Sequence, residues 1–307
     1  MAKGKTDYDI IIIGGGPAGL SAAIYTARAR LSTLILENAL VGGQSVNAER
    51  LDNYPGFPNG ISGAELASLM QEQATKYGTE IITAEVTGLK PEGPRKTVLS
   101  TEGNFTAGAI IIAGGCQRQK LGVPGEAEFT GRGVSFCATC DGAFFRDREI
   151  AVVGGGDAAI TEALHLTKFA SKVTVIHRRD QLRATPIVQE KAFAEPKIEF
   201  RWDSVVEAIE GDDFVRSLKL RNVKTNEIST LTVDGVFMSI GFKPNTDYLK
   251  DVIPLDKSGA VITDGSLETQ VSGVFAAGDI RQHSPRQVIV AAGDGAHAAI
   301  SATKHLT

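Results

Sequence analysis

Ile10-Ile11-Ile12-Ile13-Gly14-Gly15-Gly16-Pro17-Ala18-Gly19 decides the fold. Four isoleucines read as a buried strand. They run into a GxGxxG turn, and a helix-like segment comes next. The first glycine makes the tight turn, the second lets backbone N–H groups reach a pyrophosphate, and the third keeps the helix close to the strand. One such match is weak evidence, but the chain carries a second. Ile150-Ala151-Val152-Val153 runs into Gly154-Gly155-Gly156-Asp157-Ala158-Ala159, again as strand, turn and helix. Two fingerprints in that context predict an α/β protein with two Rossmann-like dinucleotide-binding domains.

The two copies stay in register beyond the glycines. Gly14 and Gly154 are 140 residues apart, and so are Glu37 and His177. Both of the latter end the next strand-like run, Thr33–Leu36 and Val173–Ile176. In this fold that position meets the adenosine ribose. Glu37 suits a free ribose hydroxyl, as in FAD or NAD. A surface acid at a strand end is the plain alternative, and the register favours the ribose. His177 is followed by Arg178, Arg179 and Arg183. Guanidinium groups pair with phosphate bidentately, so this group fits the 2′-phosphate of NADPH better than a free hydroxyl. A solvated basic patch is the competing reading, and the place after the second βαβ strand weighs against it.

Just before the second fingerprint stands Cys137-Ala138-Thr139-Cys140-Asp141. The chain has three cysteines, and two of them form this CxxC. Zinc needs four ligands, and no histidine precedes His165, so no metal site is expected. An inert pair of buried thiols remains an alternative. The spacing equally suits two thiols that cycle between dithiol and disulfide, with a neighbouring carboxyl to carry a proton. Two dinucleotide sites and a redox dithiol make an electron path from NADPH through a flavin to a disulfide. Cys116, the odd thiol, reads as a small apolar filler. Asp157 and Glu162 read as a helix cap and a first-turn acid, both of structural use.

Composition bounds the setting. The length of 307 residues suits two domains, and 42% hydrophobic residues with a net charge of −4 describe an ordinary globular chain. A negative chain is a poor partner for nucleic acid or an anionic membrane. No apolar run reaches the length of a membrane span, and the N-terminal stretch is too short for a signal peptide. Few cysteines and no export signal predict a cytoplasmic enzyme, where a CxxC is catalytic more often than structural.

These segments, taken together, carry a resemblance. Gly14–Gly19, Gly42-Gly43-Gln44, Asn53-Tyr54-Pro55-Gly56-Phe57, Cys137–Gly142, Gly154–Ala159, His177-Arg178-Arg179, Gly273–Asp279 and Arg286-Gln287 make the chain, over nearly its full length, similar to the low-molecular-weight thioredoxin reductases. The resemblance implies a homodimeric flavoprotein that reduces thioredoxin with NADPH. It implies that Gly14, Gly16, Pro17, Ala18, Gly19, Glu37, Gly43, Gln44, Asn53, Ala113, Gly114, Gly278, Asp279, Arg286, Gln287 and Val288 hold FAD. For NADPH it implies Gly154, Gly156, Asp157, Ala158, Ala159, His177, Arg178, Arg179, Arg183, Ile240 and Gly241, and gives Glu162 a place near the nicotinamide. Cys140 would face the flavin, Cys137 would attack the substrate, and Asp141 would act as general acid.

The resemblance also sets the domain plan. An aspartate like Asp279 contacts the ribityl chain in such flavoproteins, so the FAD domain is expected to be split, 1–118 and 248–307. The NADPH domain, 119–247, would be inserted with its CxxC. Gly122–Gly125 and Gly241–Asn245 are the expected linkers. Two departures from the family pattern stand out. Ala113-Gly114-Gly115 lacks the usual threonine, and Ala158 replaces a usual Ser or Thr.

Three rivals share this fold or its cofactors. A ferredoxin-fed reductase or a dithiol oxidase tends to lose the NADPH motif, which this chain keeps. A hydroperoxide-reductase flavoprotein subunit needs an added N-terminal redox domain. A redox-sensing module would bind the cofactors without turnover.

Local patterns predict further elements. A helix is expected over 64–77 on Leu66, Leu69, Met70 and Tyr77, and a small antiparallel meander over 214–233. A buried strand is expected at Val274–Ala276, and a closing alanine-rich helix from Arg286.

Overall fold

A computed structural model describes residues 6–48, 51, 53–136 and 138–307, without the side chains of Asn47, Thr139 and Cys140. The chain divides into two compact units, 1–117 with 243–307, and 118–242. The second is inserted in the first.

The first unit opens with β1 (Asp7–Ile13), α1 (Pro17–Arg28), β2 (Thr33–Glu37), α2 (Gly63–Thr75) and β3 (Glu80–Thr83). β4 (Val86–Lys90), β5 (Lys96–Ser100) and β6 (Gly103–Ile112) come next. The crossing strand β7 (Cys116–Arg118) leads to the second unit. That unit holds β8 (Val134–Ser135), α3 (Ala138–Asp141), β9 (Glu149–Val153), α4 (Asp157–Leu166), β10 (Lys172–Ile176), α5 (Pro186–Ala194) and β11 (Ile198–Arg201). It ends with β12 (Ser204–Gly211), β13 (Val215–Asn222), β14 (Ile228–Thr232) and β15 (Gly235–Met238). The return strand β16 (Phe242–Pro244) pairs with β7, and β17 (Val274–Ala276) and α6 (Val288–Leu306) complete the first unit.

In the first unit the sheet order is β3-β2-β1-β6-β5-β4, with β17 also on β6. β3, β2, β1, β6 and β17 are parallel, β5 is antiparallel to β6, and β4 is antiparallel to β5. The long β6 serves both kinds of neighbour, pairing β5 along its first half and β17 along its second. The isoleucine run is continuous because both faces of β1 are covered. Ile10 and Ile12 pack with α1, α2 and α6, while Ile11 and Ile13 pack with Val98, Phe105, Leu249 and Val261. Each buried isoleucine contributes about 2 kcal/mol of transfer free energy.

The second unit repeats the plan. Its sheet, β11-β10-β9-β15-β8, is wholly parallel. Ile150 and Val152 face α4, while Ala151 and Val153 face the antiparallel sheet β12-β13-β14.

Several expectations shift at element ends. Gly122–Gly125 lies inside the second unit, where the Glu126 carboxylate accepts the N–H groups of Leu121 and Gly122 and Pro124 O accepts Ile209 N–H. The return crossing falls at 242/243, not 247/248, because Phe242–Pro244 is a strand bound to the outgoing one. α2 starts at Gly63 because the Ser62 hydroxyl caps Glu65 N–H. Leu69 and Tyr77 prove to be exposed, and Leu66, Ala67, Met70 and Ala74 form the buried face. α6 starts at Val288, since Arg286 has φ +54° and Gln287 is the extended N-cap.

α6 lies against α1 through Gly295. A Cβ there would sit 2.0 Å from Ala18 O. Gly295→Ala should therefore cost about 2 kcal/mol or more, read as a lower denaturation midpoint in urea, because backbone must move to relieve the overlap.

Candidate functional site

Each fingerprint is shaped by close approach. In the first, Gly14 has φ +106°, and a Cβ on it would lie 2.5 Å from Ala113 O. A Cβ on Gly19 would lie 1.9 Å from Gly14 O. Gly14 N–H donates to Leu36 O at 2.8 Å and Gly15 N–H to Glu37 Oε2 at 2.6 Å. Glu37 Oε1 accepts Ala39 N–H at 2.9 Å. This buried carboxylate thus braces the turn and still has lone pairs for a further donor.

Gly16 differs from its neighbours. A Cβ there would meet only Gly43 Cα, at 3.9 Å, and one on Gly156 would meet nothing within 4 Å. Protein packing explains Gly14 and Gly19 but neither of these two. The unpaired N–H groups of a helix's first turn are aimed at such a space, and a methyl would fill the room a pyrophosphate needs. Both cradles pass this test for a dinucleotide.

The first unit gathers several expected residues around its cradle. Gly42 N–H donates to Gly15 O at 2.8 Å, which sets Gly43 and Gln44 beside the turn. Asn53 Nδ2 donates to Gln287 Oε1 at 3.0 Å and so joins two distant segments. Gly278, at φ +77°, leaves no room for a Cβ beside Ala18. Asp279 accepts the Ser284 hydroxyl at 2.9 Å, and its pKa is pushed up by burial. Cys116 is buried, with Sγ 4.0 Å from Asp279 Oδ2. Arg286 and Val288 flank Gln287 at the start of α6, and Ala113 is buried beside Gly14. Gly114, by contrast, has ordinary room: its nearest Cβ neighbour would be Ile280 at 3.4 Å, so a side chain fits where the family has threonine.

The second cradle is built likewise. A Cβ on Gly154 would fall 2.3 Å from Ser239 O and 2.6 Å from the Ala159 Cβ, so glycine at the first position makes room for alanine at the last. Ala158 adds only backbone to the cradle. Asp157 Oδ1 accepts both N–H and hydroxyl of Thr185, each at 2.8 Å, and the Thr185 N–H bond holds its carboxyl below the usual range. Ile240 packs against the core, and Gly241, at φ +116°, accepts Gln119 N–H through its carbonyl.

His177 lies beneath the second cradle. Its ring sits under Gly155, where a Cβ would come within 2.4 Å, and only 5% of the residue is exposed. Burial first, and then Arg183, push its pKa down. Its ring thus supports the turn. Arg178, Arg179 and Arg183 are exposed. Arg183 N–H donates to Gly155 O at 2.6 Å, which pins their loop to the cradle. Glu162 pairs with Arg118 at 3.4 Å, and burial pushes its pKa up.

Cys137 lies outside the described residues, and Cys140 is described by backbone alone, in α3. Asp141 ends that helix, and its Oδ2 accepts the Ser135 hydroxyl at 2.6 Å.

Sequence reading missed one pair that shapes the first site. Arg281 forms a two-pronged ion pair with Asp294 of α6, at 2.5 and 2.8 Å. Asp294 Oδ2 also accepts Gly278 N–H at 3.1 Å. An acid between two glycines inside an alanine-rich helix, Gly293-Asp294-Gly295, was the available signal.

Comparison with known proteins agrees with this geometry. The pyridine nucleotide-disulphide oxidoreductase family model matches residues 8–295. A thioredoxin reductase of Streptomyces coelicolor is 49% identical over 97% of this chain and 94% of its own. One from Peptoclostridium acidaminophilum is 46% identical over 97% of each. The crystal structure of Lactococcus lactis thioredoxin reductase in its FR conformation is 46% identical, with a TM-score of 0.82 over 97% of this chain and 99% of that one. The chain belongs to the pyridine nucleotide-disulphide oxidoreductases, and among them to the low-molecular-weight thioredoxin reductases.

The Arg281–Asp294 pair is 17% and 12% exposed, so removing one partner strands a charge. Asp294→Ala should cost about 3 kcal/mol in chemical denaturation. The cycle with Arg281→Met should return a coupling of about 1 kcal/mol or more.

Proposed function

We propose that this protein reduces thioredoxin, or a similar small disulfide protein, with electrons drawn from NADPH through FAD and the Cys137–Cys140 pair. The observation that carries the reading is the pair of glycine positions, Gly16 and Gly156, that protein packing leaves unexplained. They supply two dinucleotide cradles in one chain, and the CxxC belongs to the same unit as the second cradle.

FAD, when bound, supplies a two-electron carrier between a nicotinamide and a disulfide. In the first unit, the backbone of Gly16–Gly19 would bind its pyrophosphate and Glu37 a ribose hydroxyl. Asp279, Asn53 and Gln287 would fix the remaining length. In the second unit, Gly156–Ala159 would bind the pyrophosphate of NADPH, and Arg178, Arg179 and Arg183 its 2′-phosphate.

The thiol chemistry belongs to the chain. Cys137, as thiolate, attacks one sulfur of the thioredoxin disulfide and expels the other. Asp141 protonates that leaving thiolate, its carboxyl oriented by Ser135. Cys140 then attacks Cys137, which frees dithiol thioredoxin and restores the protein's disulfide. Phe144, 82% exposed and four residues beyond Cys140, offers a protein substrate an apolar contact.

The test is an anaerobic titration of purified protein, which should be yellow with about one FAD per chain. NADPH should bleach the flavin band, and oxidised thioredoxin should restore it. A protein that neither carries nor takes up FAD, or a band that NADPH leaves unchanged, overturns the reading. NADPH should exceed NADH by about tenfold or more in kcat/KM, a difference of about 1.4 kcal/mol. Cys140→Ser should trap thioredoxin lacking its resolving cysteine as a mixed disulfide on a non-reducing gel. Cys137→Ser should not, and the opposite pattern would reverse the two roles.

A further inference from the structure

The loop after β10 carries three arginines and, among them, one acid, Asp180. Arg178, Arg179 and Arg183 have no side-chain ion pair or hydrogen bond among the described residues. Asp180 does: its Oδ2 is 2.8 Å from Lys224 Nζ. Lys224 comes from the β13–β14 turn, over forty residues away in sequence. Asn222 Oδ1 accepts the N–H groups of Lys224 and Thr225 at 2.9 and 3.0 Å, and so fixes where that turn presents its lysine.

A second carboxylate completes the bridge. Asp203 Oδ2 lies 3.0 Å from Lys224 Nζ, and Asp203 is only 16% exposed in its side chain. Its backbone is left-handed, with φ +51°. Asp tolerates that region better than most residues, but the conformation still has to be held by its surroundings. They hold it here: Asp203 N–H donates to Arg179 O at 3.2 Å, and Asp203 O accepts Val223 N–H at 2.6 Å. One residue therefore ties the arginine loop to the β13–β14 turn through both backbone groups, while its carboxylate grips the lysine.

An unmasked Asp180 would oppose a phosphate in two ways. It would repel the incoming anion, and it would draw a neighbouring guanidinium into a pair within the loop. We propose that Lys224 determines specificity for the 2′-phosphate of NADPH by neutralising Asp180, which keeps Arg178 and Arg179 available, and that Asp203 is the positioning residue that fixes loop and lysine together. The inference rests on the NADPH reading above.

The test measures binding of NADP⁺ and NAD⁺ to the full-length protein by calorimetry, so that it does not depend on turnover. Lys224→Ala should weaken NADP⁺ about threefold or more and leave NAD⁺ unchanged, since only the former carries the phosphate. Lys224→Arg should keep the wild-type preference. Adding Asp180→Asn to Lys224→Ala should restore NADP⁺ affinity, because the charge to be masked is gone. Equal losses for both nucleotides would make Lys224 a merely structural residue and overturn the proposal, as would no loss for either. Failure of Asp180→Asn to rescue would overturn the masking role. Wild-type protein that binds NAD⁺ as tightly as NADP⁺ would overturn the NADPH reading itself, and this inference with it.

Discussion

The structure depends on the absence of a few Cβ atoms where a strand hands over to a helix. A side chain on Gly19 would occupy the space of Gly14 O, and one on Gly14 would strike Ala113 O just past the end of β6, the neighbouring strand. With hydrogen there, α1 starts directly off the end of β1, and its first-turn N–H groups point along the strand's carboxyl edge. α6 then closes on the same helix because Gly295 and Gly278 also leave room for Ala18. One steric condition thus sets strand, helix and covering helix, and the cradle is its consequence. In the second unit the condition is met differently, with alanine at the last position and glycine opposite it.

The residue that ends the second strand supports the middle of the turn in both units, by different chemistry. Glu37 does so with a carboxylate hydrogen-bonded to Gly15 N–H, and His177 with a ring packed on Gly155. Burial of the imidazole, and then the Arg183 guanidinium beside it, push its pKa down. Positive charge is left to the exposed side chains just beyond it. The two sites therefore differ less in their cradles than in the side chains just past the second strand.

The features legible along the chain were those that neighbours along the chain decide. The isoleucine run, both glycine turns, and the acid or arginines after the second strand are local patterns with fixed geometry. β17 was legible as an apolar run before Ala277-Gly278-Asp279, though its place on β6 was not. The helix expected from Arg286 begins two residues later because a left-handed arginine has no local signature. Leu69 keeps helical spacing yet faces outward, since periodicity names a face without naming its partner, and Tyr77 falls past the helix end at Thr75. Arg281–Asp294, Asp157–Thr185 and Asp203–Lys224 join residues from 13 to 28 positions apart. Such pairs depend on how turns meet, and a single sequence does not display that. The packing of the His177 ring on Gly155 was hidden for the same reason: its register was legible, but only the fold shows that the ring turns inward.

These non-local contacts share one electrostatic consequence. A cluster of arginines is useful to an anion only while no carboxylate of the protein satisfies it first. Asp157 and Asp180, bonded to or lying within the arginine loop, are each engaged elsewhere. Asp157 accepts the backbone and hydroxyl of Thr185, a neutral partner, and Asp180 is taken by a lysine from another sheet. Both engagements also shape the loop, because Thr185 ends it and Asp180 lies within it. Holding the carboxylates away and holding the loop in place are thus the same set of bonds. The arrangement costs little before a ligand arrives, since exposed arginines remain hydrated, and it leaves few competing pairs to break when one does.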